Sequence, residues 1–129
     1  MKRTAVIARL LLSLLGLALL VLGGLIWSGR APSLVPLHMQ LGVLFVVCLW
    51  VLVGLSFYAR AGRGLAVLVL IWSLIVPVLG VAQLRLLPGP RHWVIQSIHL
   101  LVGLIAMGLG HALARPIGRS PSRGSVRAS

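Results

Sequence analysis

Apolar residues fill four stretches of this chain, at about 5–27, 35–58, 64–87 and 92–114, and polar residues gather in the short gaps between them. Each stretch is close to the ~20 residues that carry a helix across the ~30 Å hydrocarbon core of a bilayer. The gaps read SGRAPS, ARAGRG and LPGPR, with the Gly and Pro of tight turns. Links this short make each helix the antiparallel neighbour of the next. The pattern predicts an all-α, four-helix transmembrane bundle in up-down-up-down order over residues 1–114. Residues 115–129, rich in Ser, Arg, Gly and Pro, are expected to form a disordered basic tail.

Composition agrees with this reading. Of 129 residues, 60% are hydrophobic. A soluble fold of that length encloses too little volume to hide so much apolar surface. The first stretch, after MKRTAVIAR, is longer than the ~7–15-residue apolar core of a signal peptide. The WSGRAPS that follows it also lacks the small-residue pattern of a cleavage site, so a true span is expected. The one cysteine, Cys48, has no partner for an internal disulfide.

Charge sets the orientation. The chain has twelve Lys and Arg and no Asp or Glu. The cations lie between apolar runs and in the tail, not along one helix face, which argues against nucleic-acid binding. Lys2, Arg3, Arg9, Arg60, Arg63, Arg115, Arg119, Arg123 and Arg127 fall on one side of the predicted topology. Arg30, Arg85 and Arg91 fall on the other. The positive-inside rule then places both termini in the cytoplasm, and a bacterial inner membrane is the expected location. Trp27 and Trp93 would mark the outer interface and Tyr58 the inner one.

Few residues can carry chemistry. Without a carboxylate side chain there is no acid/base carboxylate pair and no oxygen cage for calcium or magnesium. No zinc-protease, phosphate-loop or nucleophile motif is present. What remains is a set of histidines. The second stretch begins PLHMQLG, and the fourth contains RHWVIQSIHLLVG. His38 with Gly42 and His99 with Gly103 share the spacing H-x-x-x-G, a faint sign that helices 1–2 and 3–4 are related hairpins. At 3.6 residues per turn, His92, Gln96, His99, Gly103, Ala106 and Gly110 share one stripe of the fourth helix. His38, Gly42, Phe45, Leu49 and Ser56 share a stripe of the second.

Polar groups inside a bilayer are costly unless partnered, so these histidines raise a functional expectation. Two neutral imidazoles on facing helices can hold one haem iron from both sides. Gly42 and Gly103 would leave room for the macrocycle, and Arg85 and Arg91 would pair with its propionates. Each residue also has a simpler use. His92 follows Pro90 and Arg91 and can bond water, the outer arginines can meet lipid phosphates, and glycines let membrane helices approach closely. A zinc or copper site on the three outer histidines is a further option.

Two criteria disagree on which histidine faces His38. Counting residues to the inner arginines puts His38 level with His92, with His99 about 10 Å deeper at 1.5 Å per residue. Burial favours His99, since a deeper imidazole has the greater need of a partner. His99 is the expected ligand and His92 the alternative. His111 is expected at the inner interface, and Cys48 and Trp50 are read as packing residues. Pro77 and Gly80 are expected to kink the third helix.

This layout, over about residues 5–114 with His38 and His99, resembles the small four-helix b-type membrane cytochromes. That group includes cytochrome b561-like proteins and the membrane anchors of respiratory enzymes. Cytochrome b561 proper holds two haems on four helix histidines at two levels, and this chain lacks the inner pair. The resemblance implies one haem b near the outer leaflet between the second and fourth helices, in an electron-transfer subunit more than a stand-alone enzyme. A quinone or a partner redox protein would complete the electron path, with His92 and Gln96 placed to hydrogen-bond a quinone carbonyl. The alternatives are a membrane assembly or accessory protein without cofactor, and a small transporter subunit.

The charge count makes a direct prediction. A cysteine introduced as Ser120→Cys will resist a membrane-impermeant thiol reagent applied to intact cells and will react once the membrane is opened. Labelling from outside would reverse the topology.

Overall fold

The structure is a computed structural model, and it describes residues 2–118. It is an all-α bundle of four long helices: α1 (Lys2–Trp27), α2 (Val35–Tyr58), α3 (Arg63–Ala82) and α4 (His92–Gly118), with a short 3₁₀ turn at Pro32–Leu34 before α2. Among the described residues there is no strand. All four helices are long and apolar enough to cross a membrane.

Two helix ends differ from the sequence expectation. α3 stops at Ala82, short of 87. Leu87 precedes Pro88, whose ring disfavours the helical region for the residue before it. Leu87 instead takes a left-handed conformation with φ 47°, and Gly89 follows with φ 85°. The chain from 83 to 91 therefore forms a chain of turns. α4, in contrast, runs through Pro116 to Gly118, past the predicted end at 114. Burial of Leu113, Ala114 and Ile117 accounts for this, because the last turn is packed. The predicted tail from 119 onward lies outside the described residues.

Pro77 lies inside α3, which remains one continuous helix around it. Its missing N–H withdraws the usual donor from the carbonyl one turn back.

Each helix packs on its neighbours in the chain, and α4 returns to close the ring on α1. α2 and α4 also touch across the middle, whereas α1 and α3 do not. The α2–α4 diagonal is short because of small residues on α4. A Cβ placed on Gly110 would lie 2.6 Å from Cδ2 of both Leu12 and Leu49. One on Gly16 would lie 2.5 Å from Sδ of Met107. Small residues of this kind let membrane helices approach where the hydrophobic effect gives no drive.

The tight core occupies one half of the bundle. Leu12, Leu49, Leu52, Leu113, Ile117 and Val69 are almost fully buried there. Ser56, also buried, donates its hydroxyl to the Ala61 carbonyl and so ties down the α2–α3 link. Gly62 begins α3 with φ 70°, and Pro116 and Leu113 of α4 close over it. In the other half, beyond Gly16 on α1, before Phe45 on α2, after Ser73 on α3 and before Ala106 on α4, Ile95 is the one buried side chain among the described residues. The bundle is loosely packed at that end.

Polar side chains join three of the four helix neighbours. The Trp50 indole donates to Ser73 Oγ at 2.9 Å, and Trp72 donates to the Val102 carbonyl at 2.9 Å. Ser13 Oγ and His111 Nε2 are 3.2 Å apart. Trp50 and His111 are therefore more than packing and interface residues: each holds two helices together.

The packing at Gly110 yields a stability prediction. Gly110→Ala will overpack Leu12 and Leu49 and destabilise the bundle by about 1–3 kcal/mol. Gly108→Ala, where an added Cβ meets nothing within 4 Å, will stay within about 0.5 kcal/mol of the parent. Unfolding in mixed detergent measures both, and equal losses would remove Gly110 from the helix contact.

Candidate functional site

The loosely packed end holds His38 and His99, one turn into α2 and two turns into α4. Their ring centroids are 6.3 Å apart, with the planes tilted by 59°. His99 minus His38 is 61 in the numbering, and so is Gly110 minus Leu49, the pair in contact deeper in the core. α2 and α4 therefore run side by side in one constant register. The same offset pairs Gly42 with Gly103, Phe45 with Ala106 and Leu52 with Leu113. Of these, Phe45, Ala106, Leu52 and Leu113 are buried. Both stripes read from the sequence face inward.

Each imidazole rests on a glycine of the preceding helix. A Cβ on Gly23 of α1 would lie 3.5 Å from His38 Cε1, and one on Gly80 of α3 would lie 3.3 Å from His99 Cε1. The two hairpins thus repeat one arrangement, a histidine on the second helix seated against a glycine on the first. Gly23 was not singled out in the sequence, and Gly80 was marked there only as a kink site beside Pro77, because nothing in their immediate context points to a histidine on another helix. Only the level of each glycine in its hairpin would have pointed to them.

The polar atoms of the pair are not satisfied internally. Nδ1 of His38 and Nδ1 of His99 are both buried and have no hydrogen-bond partner. Buried polar atoms in folded proteins are nearly always paired, so two orphans in one place require an explanation. Around them there is room: a Cβ on Gly42 or on Gly103 would meet nothing within 4 Å.

The remaining candidates stand apart from this pair. His92 Nδ1 lies 3.4 Å from the Leu86 carbonyl, in the turn that leads into α4. Gln96 is half-buried, and Ser97 is satisfied locally by the Trp93 carbonyl at 2.9 Å. Met39, beside His38 in PLHMQLG, is exposed. Arg85 and Arg91 are both exposed. Arg85 borders a shallow apolar groove formed with Pro77, Val78, Val81 and Ala82 on α3. Cys48 is half-buried on α2.

Among the described residues no three His, Cys, Asp or Glu come together as a metal-binding group. A zinc or copper ion held by all three outer histidines is therefore not what the described geometry offers. Two facing imidazoles suit an ion that brings its other ligands with it.

No protein-family model, curated protein or solved structure matches the chain.

The two glycine seats are unequal, and this is testable. Gly80→Ala will displace the His99 ring, since the added Cβ is tighter than an ordinary contact. Gly23→Ala will leave His38 in place, because its Cβ falls at van der Waals distance. Two-bond ¹⁵N–¹H spectra of the histidine rings in detergent report each imidazole separately. A shift of His38 in Gly23→Ala, with His99 unmoved in Gly80→Ala, would contradict the geometry.

Proposed function

We propose that this chain is an integral protein of a bacterial cytoplasmic membrane that holds one haem b between His38 and His99 and serves as an electron-transfer subunit. The observation that carries this reading is the facing pair of imidazoles with their orphaned buried Nδ1 atoms. Metal–imidazole bonds run about 2 Å. The 6.3 Å between ring centroids is short enough that His38 and His99 would both be within reach of one such metal ion.

Topology supports the same reading. Phe45 of α2 lies beside Gly16 of α1, and His38 beside Gly23, so one helix ascends as the other descends. This favours the up-down-up-down order, and the charge asymmetry favours cytoplasmic termini. The histidine pair then lies toward the outer leaflet, at the end flanked by Trp27 and Trp93.

Haem, when bound, supplies a one-electron carrier whose potential depends on its axial ligands and surroundings. The protein's own residues do the rest. His38 and His99 hold the iron from opposite hairpins. Gly23 and Gly80 fix where each ring sits, and Gly42 and Gly103 leave the macrocycle its space. Arg85 and Arg91 offer positive charge to the propionates, with no internal acid competing for it. His92 and Gln96, nearer the surface, are placed to bond a quinone carbonyl. A haem near one face needs such a quinone or a partner redox protein to carry the electron on.

Absorption spectra of the purified protein, oxidised and then reduced, test this. A Soret band with reduced α and β bands is expected. His38→Ala and His99→Ala each lose the haem, and His92→Ala keeps it. Full haem in His99→Ala with loss in His92→Ala would move the ligand to His92. A colourless protein that takes up no added haem would leave a membrane assembly role in its place.

A further inference from the structure

At the opposite end of the bundle a second polar cluster joins α1 to α4. Ser13 Oγ donates to the Arg9 carbonyl at 3.1 Å and lies 3.2 Å from His111 Nε2. With its proton committed to Arg9, the Ser13 hydroxyl accepts from His111. Arg9 is one turn below Ser13 on α1, and Arg115 is one turn beyond His111 on α4. Contacts of Gly16 with Met107 and of Leu12 with Gly110 show that position falls along α1 as it rises along α4. Both steps therefore lead toward the same end, and Arg9 and Arg115 arrive level with one another.

Two like charges across a helix contact repel and would part α1 from α4 at the point where the ring of helices closes. No acidic side chain exists anywhere in the chain to neutralise them. The anion has to come from outside. We propose that Arg9 and Arg115 form a binding site for the phosphate of an anionic phospholipid, which bridges α1 and α4.

A lipid fits better than a free anion because of what surrounds Arg9. Val6, Leu10 and Leu17, which follow the side of α1 next to Arg9, are 49%, 56% and 61% exposed. Acyl chains would cover these residues while the phosphate meets the arginines, whereas free phosphate answers the charge alone. A net negative headgroup fits better than a zwitterionic one, whose own ammonium would add a third cation. Guanidinium groups suit the task, since each offers two parallel donors to phosphate oxygens.

The test uses the full chain reconstituted in phosphatidylcholine, with spin-labelled phosphatidylglycerol or spin-labelled phosphatidylcholine as the probe. The motionally restricted fraction of each gives a selectivity ratio. The parent protein will prefer phosphatidylglycerol. An Arg9→Gln, Arg115→Gln double variant will lose about fivefold in affinity per arginine, or about 30-fold for both. Arg60→Gln, Arg63→Gln, which removes two cations from the α2–α3 link, will keep the preference. Equal loss in both double variants would show diffuse attraction and overturn the site. Loss of the preference on adding inorganic phosphate, but not chloride at matched ionic strength, would assign the cluster to a soluble anion and overturn the lipid assignment. The haem content of the protein does not enter this measurement.

Discussion

The approach of α2 to α4 across the bundle governs the rest of the structure. Gly110 sets it, by letting Leu49 of α2 and Leu12 of α1 reach the α4 backbone. In a bilayer the surrounding lipid is as apolar as leucine, so helix association depends on close packing and a few polar contacts. With Leu49 seated at Gly110, the constant register carries His38 to His99 eleven residues up each helix. A side chain at 110 that separated these helices would also separate the imidazoles, although it lies three turns from them.

Polar groups follow a consistent pattern in this chain. Ser13 with His111, Trp50 with Ser73 and Trp72 with Val102 each tie two helices together within the packed region. Each of these polar side chains has a partner, as low-dielectric surroundings demand. His38 and His99 depart from that pattern in the half of the bundle where packing is loosest. The two Nδ1 atoms are the unpartnered buried polar atoms among the described residues.

The four helices and their inward stripes were legible in the sequence, because hydrophobic runs of membrane length leave few alternatives. The choice of His99 over His92 rested on burial, and the competing depth argument failed for an identifiable reason. It measured α4 to Arg115, whereas that helix continues through Pro116 to Gly118. Measured to the actual helix ends, His38 is twenty residues from Tyr58 and His99 is nineteen from Gly118, so the two are level. Proline inside a membrane helix is tolerated when neighbouring groups absorb the lost bond, and a rule that ends helices at proline misreads such a case. The end of α3 shows the reverse. There the residue before Pro88 marked the boundary in the sequence, yet the helix ends five residues earlier, at Ala82. The contacts of Gly23 and Gly80 with the histidines and the partners of Trp50 and His111 were not legible, since each depends on which helix lies opposite.

The paired glycine seats give the candidate site a property that neither hairpin has alone. α1 with α2 supplies one imidazole on one glycine, and α3 with α4 supplies the other. The four-helix bundle is complete only where the two hairpins pack on one another. That packing brings the imidazoles together and also sets Arg9 opposite Arg115. Under the proposals above, it would create a place for a shared ligand and, at the other end, a repulsion. A group held by both histidines binds the assembled bundle and not the separate hairpins, so it stabilises assembly by mass action. An anion between the two arginines would act in the same direction at the opposite face. Coupling of this kind would suit a chain with so little polar material, since one ligand at each end would then favour the same assembled bundle.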